Sequence, residues 1–249
     1  MAPDSALSKV LEETNEVFQF YMELNVSVYD PEEFAKLEDD ISSSLIPYEI
    51  LEKSYRQKIC FVRDEFISIE TMDEDGEVLH VYIEEIGGQR TSENISMERF
   101  FSESDILFPP VVFFTKHLSL LKRSIGQYDI LPASLELADL DRSIFYKVGT
   151  AHSFLMVDSV SFKVTMIEYP VQIRGRYFPV KIEFSDWYPK KKAIPETVRF
   201  FINNRLFKET RLSKVYFSGI FTRRKAIVKK YKDYLPNRYP FDVSLDYGN

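Results

Sequence analysis

The chain has few of the residues that build covalent or metal-dependent sites. Of its 249 residues, one is a cysteine, Cys60, and three are histidines. A single cysteine cannot form an internal disulfide or a zinc site made of several thiolates. The histidines, His80, His117 and His152, lie far apart without the pair spacing of metal ligands, so each is interpreted as an ordinary, partly exposed histidine. We therefore expect neither a metal nor a cofactor.

Long apolar runs and catalytic motifs are missing as well. No stretch reaches the roughly 20 consecutive apolar residues that cross a bilayer, and the N-terminus lacks the basic-then-apolar pattern of a secretory leader. There is no G-x-S-x-G, P-loop or dinucleotide-binding glycine pattern. Asp73, Asp75 and Glu77 fall short of the full calcium-loop pattern and are interpreted as a charged hairpin turn. These absences predict a protein that is not an enzyme.

Positive charge is scarce except in one place. The formal net charge of −7 argues against a general nucleic-acid binder, which needs clustered lysine and arginine. Near the C-terminus a basic segment contains no acid and predicts a short helix; its residues are Arg223, Arg224, Lys225, Lys229 and Lys230. The segment is either a solvated helix or a surface that docks on an anionic membrane.

What the chain does have is aromatic residues, 21 Phe and 15 Tyr, and alternation of apolar with polar residues. Between residues 154 and 218 this period of two recurs in four successive segments joined by short turns, which is typical of an antiparallel meander. The apolar positions change parity after Leu212, to Val215 and Phe217. This change predicts a bulge near Ser213 that bends the last strand.

Helical spacing of apolar residues occurs outside the meander. It predicts an amphipathic helix over residues 4–24, a short capped helix over 31–40 and a helix that begins after Pro110 and stops at Gly126. Residues 131–141 are interpreted as a connector. Because helices between two hairpin systems need an apolar surface to pack on, we expect those at 96–125 to cover the face of the sheet as a lid.

Three segments resemble the bacterial outer-membrane lipoprotein carrier (LolA-like) superfamily. They are CFVRDEFISIETMDEDGEVLHVYI, FLMVDSVSFKVTMIEY and FPVKIEFSDWYPKKKAIPETVRFFINNRLFKETRLSKVYFS. The resemblance implies an α+β, mainly β fold: a strongly curved antiparallel sheet, or incomplete β-barrel, with helices packed on its concave face as a lid. We expect a single domain over 1–249, with the half-barrel at about 5–220 and a basic C-terminal extension at 221–249.

The resemblance also implies an apolar cavity and a latch. The family often has a basic residue followed by proline entering the second strand, where it can hold the lid shut; Arg63 stands there, followed by Asp64 instead of proline. Alternation along the strands selects ten candidate cavity residues, for which packing in an ordinary core is the alternative. They are Phe66, Ile69, Val81, Ile83, Phe113, Leu118, Phe162, Val164, Phe184 and Phe200.

Together these patterns predict a periplasmic-type carrier that binds lipid acyl chains or lipidated protein, with a possible anionic membrane surface as a further partner. A monomer is expected. The alternative is a non-enzymatic protein-interaction or envelope sensor module on the same fold. Location in the periplasm or cell envelope would require that a leader had been removed.

Overall fold

The structure is a computed structural model that describes residues 1–29, 54–85, 89–95, 109–140, 142–173, 176–191 and 193–231. The short helix expected at 31–40, the first part of the expected lid at 96–108 and the end of the C-terminal extension lie outside the described residues.

Among these residues the chain forms twelve strands and four helical elements. The strands are β1 (Gln19–Val28), β2 (Ser54–Val62), β3 (Phe66–Met72), β4 (Val78–Glu85), β5 (Gln89–Asn94), β6 (Leu135–Leu140), β7 (Ser143–Gly149), β8 (Phe154–Asp158), β9 (Val164–Ile173), β10 (Arg176–Trp187), β11 (Pro195–Ile202) and β12 (Arg205–Tyr216). The helices are α1 (Pro3–Thr14), a 3₁₀ helix (Pro109–Phe113), α2 (Leu118–Gly126) and α3 (Ile220–Lys230).

All twelve strands form one antiparallel sheet in the order β5-β4-β3-β2-β1-β12-β11-β10-β9-β8-β7-β6. Strands that follow one another in sequence pair with each other, apart from β5 and β6, and β1 also pairs with β12, which links the N-terminal and C-terminal halves. The outermost strands, β5 and β6, do not pair with each other, so the sheet is curved but unclosed. This architecture confirms the predicted fold class.

The meander and its bulge are confirmed in detail. Strands β9 to β12 follow one another with short connections, and Asn203 and Asn204 both have the positive φ that a tight hairpin turn requires. In the β1–β12 pair, Leu24 lies opposite Leu212 and Glu23 opposite Lys214. Ser213 is therefore the extra residue, at the position that the change of apolar parity indicates.

The prediction of one helix over residues 4–24 is wrong in its second half. The helix begins after Ala2, with proline in its first turn, and ends at Thr14. Residues 19–28 form β1, because Phe20, Met22 and Leu24 alternate with Tyr21 and Glu23. Apolar side chains on both faces of β1 also satisfy a helical spacing, which explains the misassignment.

Two further segments differ from expectation. In place of one helix after Pro110, the chain makes a 3₁₀ helix at Pro109–Phe113 and a separate α-helix at Leu118–Gly126, since residues 114–117 interrupt the helical backbone. Residues 135–140, expected as a connector, form edge strand β6. The exposed residues of β6 include both apolar and polar side chains, so alternation predicts a strand only weakly there.

Apolar side chains pack in two clusters on opposite faces of the sheet. The inner cluster covers the concave face and contains α1, the 3₁₀ helix and α2, with Leu7, Val10, Leu121 and Ile125 almost fully buried. The outer cluster lies between α3 and strands β1 to β4. Its buried members are Tyr21, Cys60, Val62, Phe66, Val81, Ile83, Ile220, Ile227 and Tyr231. The concave face is thus covered by α1, the 3₁₀ helix and α2, and the opposite face is covered by α3.

Candidate functional site: an apolar cleft under the helices

An apolar cleft lies where α1 and the 3₁₀ helix meet strands β9, β10 and the start of β11. Its lining residues are Val10, Glu13, Thr14, Pro110, Phe113, Phe114, Phe162, Lys163, Val164, Phe184, Trp187, Ala193 and Pro195. The free volume is about 20 Å³, room for roughly one water molecule. In this conformation the helices fill the space that a larger apolar ligand would need.

The helical wall of the cleft is fixed by one buried hydrogen bond. Val10 and Thr14 are four residues apart and therefore lie on the same face of α1. The Thr14 hydroxyl donates to the carbonyl of Phe113, 2.9 Å away in the 3₁₀ helix, and lies 3.1 Å from the carbonyl of Val10. On the sheet side, the ring of Phe113 meets that of Phe184 edge-on at 6.1 Å. The wall is thus mainly apolar, and a buried hydrogen bond joins its two helices.

Phe162 forms the sheet-side rim in an unusual backbone conformation. Its φ is +53°, a left-handed value that a bulky aromatic residue rarely adopts and that asparagine adopts readily. The ring stacks on Tyr146 of β7, with centroids 6.1 Å apart and planes inclined by 14°. Such a conformation carries a cost of about 1–3 kcal/mol, and residues of this kind cluster at functional sites.

At the mouth of the cleft, apolar side chains stay in contact with solvent. Trp187 lies under the Lys163 ammonium, 4.8 Å from the ring centroid. Beyond Phe162, the concave side of β6 and β7 carries Leu137 and Ile144, which are 69% and 54% exposed. An apolar ledge, made of Leu137, Ile144, Tyr146 and Phe162, therefore leads from the edge of the sheet to the cleft.

Arg63 anchors the junction between α1 and β1. It is 3% exposed, and its guanidinium donates to the carbonyl of Val17 at 2.7 and 3.0 Å and to the side-chain oxygen of Asn15 at 2.9 Å. A further hydrogen bond goes to the Asn15 carbonyl at 2.5 Å. Arg63 therefore holds the C-terminal end of α1 against the start of β1.

Its neighbour Asp64 reaches the lid segment, defined as the 3₁₀ helix, α2 and the residues between them (109–126). The Asp64 carboxylate accepts a hydrogen bond from the backbone amide of Lys116 at 3.2 Å. A second contact ties α1 to α2, where the Lys122 ammonium lies 2.7 Å from the Asp4 carboxylate. Among the described residues, the lid segment is thus attached to the sheet by an exposed hydrogen bond, and to α1 by the buried Thr14–Phe113 hydrogen bond and an exposed ion pair.

The ten candidate cavity residues fall into three groups. Phe113, Phe162, Val164 and Phe184 line the cleft. Ile69, Leu118 and Phe200 belong to the inner cluster or pack against it without lining the cleft. The third group lies in the outer cluster on the opposite face, beneath α3, and consists of Phe66, Val81 and Ile83. Both faces of β3 and β4 carry apolar residues, so alternation alone could not choose between them.

The basic C-terminal residues are also divided. Arg224 lies 3.5 Å from Glu65 and 3.3 Å from Glu85, and Lys230 lies 2.7 Å from Glu70. Arg223 covers the rings of Tyr21 and Tyr216, at 4.2 and 4.9 Å from their centroids. Lys225 and Lys229 are exposed on the other side of α3. Three of the five basic residues therefore contact the sheet.

Several site residues were not found from the sequence. The helix residues Val10 and Thr14 follow from the amphipathic pattern only once α1 is known to lie on the concave face. Trp187 is the one tryptophan of the chain, a signal that could have drawn attention to it. In the sequence, Asp64 stands out only because it replaces the proline that follows the basic residue in the family pattern.

The interpretation of His80 as a partly exposed histidine is wrong. His80 is 0% exposed, and burial lowers the pKa of its imidazole to about 4. It stands on the concave side of β4, opposite Thr71 of β3. His117 and His152 are exposed as expected. Within the described ranges, no group of three or more histidine, cysteine or acidic residues is arranged to hold a metal ion.

Similarity to known proteins is found in the structure of the chain and not in its sequence. No protein-family model matches the sequence, and no curated protein matches it significantly. Among the described helices, none has both the length and the apolar character needed to cross a membrane.

A solved structure of a LolA superfamily protein from Nitrosomonas europaea is similar to 86% of this chain and 93% of its own, with a TM-score of 0.52 and 12% identity. A domain from Vibrio parahaemolyticus, provisionally described as outer membrane lipoprotein-sorting, is similar over 87% and 94%, with a TM-score of 0.49 and 11% identity. The chain therefore has the fold of the LolA superfamily.

Proposed function

We propose that the protein is a non-catalytic carrier that holds the acyl chains of a lipid or of a lipidated protein between the concave face of the sheet and the helices that cover it. The observation that carries this proposal is the way the helices are attached. α1 and the lid segment contribute apolar side chains to the inner cluster, and among the described residues few polar contacts, such as that of Lys116 with Asp64, fix the lid segment to the sheet.

Acyl chains can replace the apolar contacts of the lid segment, and opening it breaks few hydrogen bonds, those of Phe113 with Thr14 and of Lys116 with Asp64 among them. Each methylene group transferred from water to the apolar face contributes about 0.8 kcal/mol, so a chain that displaces the lid segment recovers the apolar burial that opening removes. Affinity would then follow chain length more than headgroup chemistry. The free volume of about 20 Å³ corresponds in this account to the closed, unloaded conformation.

The exposed ledge supports the same function. Leu137 and Ile144 lie at the open edge of the sheet, next to the stacked rings of Tyr146 and Phe162. Exposed apolar residues that continue into a cleft mark binding sites more often than isolated ones do. In the proposed mechanism an acyl chain lands on this ledge, slides past Phe162 and enters as the lid segment moves away.

The similarity of fold to a LolA superfamily protein from Nitrosomonas europaea supports this proposal. By analogy we propose that this chain acts as a monomer in the periplasm or cell envelope. Function depends on the site and not on the fold, so acyl-chain binding is the property to measure.

A second function is favoured by a specific observation. Because the helices almost fill the concave face, the same fold could serve as a protein-interaction or sensor module with a permanently packed core. The two functions differ in one property. A carrier opens to admit an acyl chain, and an interaction module does not.

The test is displacement of a fluorescent acyl probe from the delipidated full chain by a phospholipid and by a triacylated peptide. Saturable, reversible binding is expected, and the stronger competitor identifies the class of cargo. The variant Phe162→Asn should weaken binding by roughly tenfold, because it removes an aromatic wall worth about 1.4 kcal/mol. Absence of binding by the folded protein would contradict the carrier and favour the interaction module.

The variant is matched by Val160→Asn in the same turn, where Val160 is 87% exposed. Asparagine tolerates the left-handed backbone at position 162, so relief of strain offsets much of the lost ring packing. We expect the stability of Phe162→Asn to stay within about 1 kcal/mol of the wild type. Val160→Asn should leave probe binding unchanged, and equal loss in both variants would remove Phe162 from the binding site.

A further inference from the structure

Helix α3 is a strongly basic element that covers an apolar surface of an otherwise acidic chain. Its sequence, IFTRRKAIVKK, has five basic residues and no acid, although the whole chain has a net charge of −7. It packs on the convex face of β1 to β4, away from the cleft, and only Ile220 and Ile227 within it are buried. Charge therefore has a large share in holding this helix.

Besides the apolar contacts of Ile220 and Ile227, α3 contacts the sheet through opposite charges and through cations that lie over aromatic rings. Arg224 lies between Glu65 and Glu85 and over the ring of Phe66 at 4.9 Å. The carboxylate of Glu70, a residue that is 6% exposed, receives the Lys230 ammonium at 2.7 Å and the Tyr231 hydroxyl at 2.5 Å. Each of these acids belongs to the sheet or its turns, and in each of these ion pairs α3 supplies the positive charge.

The surface under α3 contains a buried polar group that opposes docking of the helix. Ser68 is 0% exposed, and among the described residues its hydroxyl has no hydrogen-bond partner. Burying a hydroxyl in this way opposes docking, and departure of α3 would rehydrate both this group and the Glu70 carboxylate. Ion pairs therefore stabilise the interface, while burial of the Ser68 hydroxyl and the Glu70 carboxylate favours its opening.

From these contacts we propose that α3 is a detachable strap and that an anionic lipid bilayer is the partner that detaches it. The basic residues that bind Glu65, Glu70 and Glu85 are of the kind that an anionic surface attracts. Ile220, Phe221 and Ile227 are apolar residues that can enter the interface of the bilayer beside them. Arg224 and Lys230 cannot contact the sheet and the lipid at the same time, so binding to the membrane releases the sheet.

Release of α3 would uncover a second apolar surface, formed by Tyr21, Cys60, Val62, Phe66, Val81 and Ile83. Exposed Lys225 and Lys229 make the first contact, because they face solvent while α3 is still docked. This inference does not rest on the proposed carrier function, since the strap lies on the face of the sheet opposite the cleft.

The chain contains its own reporter for this event. Cys60 is the single cysteine, is 0% exposed and lies beneath α3. The rate at which a thiol reagent modifies Cys60 in the full-length protein should therefore be slow in buffer and with phosphatidylcholine vesicles. With phosphatidylglycerol vesicles we expect co-sedimentation and a rise of at least tenfold in that rate, both reversed by high salt, which screens the charges.

Two sets of variants make the result specific. Lys225→Glu combined with Lys229→Glu should abolish the effect of the vesicles and keep the slow labelling seen without them. Glu65→Gln combined with Glu85→Gln should speed labelling even in buffer. A second reporter, Thr71→Cys with Cys60→Ser, places a thiol at a fully buried position on the opposite face of the same strands and should stay slow throughout.

Three results would overturn the proposal. The first is absence of binding to phosphatidylglycerol vesicles. The second is binding without faster modification of Cys60, which would mean that α3 stays on the sheet. The third is an equal rise at the Thr71→Cys reporter, which would mean that the whole domain unfolds on the membrane.

Discussion

Asp64 accepts a hydrogen bond from the backbone amide of Lys116 at 3.2 Å, and this contact joins the turn between β2 and β3 to the lid segment 52 residues later. Family resemblance assigned the latch to Arg63, yet Arg63 binds the carbonyls at the base of α1. The two adjacent residues thus hold different helices. In the proposed carrier, Asp64 is the contact that must break first.

Replacement of Asp64 by alanine should loosen the lid. The change removes the acceptor of the Lys116 amide and places alanine at a φ of +56°, which together should lower the free energy of unfolding by about 1–2 kcal/mol. Association of the acyl probe should become faster, as measured by stopped-flow fluorescence. Asp64→Asn keeps an acceptor oxygen and tolerates this φ, so it should behave like the wild type; equal acceleration in both variants would contradict the latch.

Replacement of Arg63 should affect stability more than gating. Arg63→Ala leaves the carbonyls of Asn15 and Val17 without their donors in a buried environment, at a cost of about 2–4 kcal/mol in urea unfolding. Arg63→Lys should fall in between, because an ammonium cannot reproduce the fork of the guanidinium. Lys9→Ala, at an exposed ion pair on α1, should change stability by less than about 0.5 kcal/mol. A loss for Arg63→Ala no larger than this would contradict the role of Arg63.

Burial of His80 should make stability depend on pH in a defined window. The folded protein holds the pKa of His80 at about 4, below the unfolded value of about 6.5. The unfolded chain therefore binds the proton first. Stability is highest above pH 6.5, falls as the pH drops from about 6.5 to 4 and loses up to about 3 kcal/mol over that range.

This dependence is tested by urea unfolding between pH 4 and 7. His80→Gln should flatten the wild-type slope in this window, because glutamine does not titrate. His152→Gln, at an exposed position, should keep the wild-type slope. A slope that persists unchanged in His80→Gln would assign the pH dependence to other groups.

Sequence patterns predicted the strands that have one solvent-exposed face and one apolar face. Strands β9 to β12 alternate clearly, and the bulge at Ser213 follows from a change of parity. Strands β3 and β4 carry buried apolar residues on both faces, because α3 covers their outer face. Alternation therefore placed Phe66, Val81 and Ile83 in the cavity, whereas they lie beneath α3.

The site could be predicted only in part for a related reason. Phe113, Phe162, Val164 and Phe184 were correctly brought together as concave-face residues, since each belongs to a clearly patterned element or borders one. Phe162 gave no sign of its left-handed backbone, because aromatic residues have no propensity for it. The acceptor role of Asp64 depends on contact across 52 residues of sequence, which local patterns do not encode.

Trp187 offers the most direct test of an acyl chain in the cleft, because it is the only tryptophan and lines the cleft wall. Intrinsic fluorescence of the delipidated full chain should be quenched by an acyl chain that carries a bromine or nitroxide group near its end, saturably and reversibly with the unlabelled chain. In Trp187→Phe combined with Phe221→Trp, the tryptophan stands on exposed α3 and quenching should be lost. Tight binding of the labelled chain without quenching of Trp187, or no binding at all, would contradict the account.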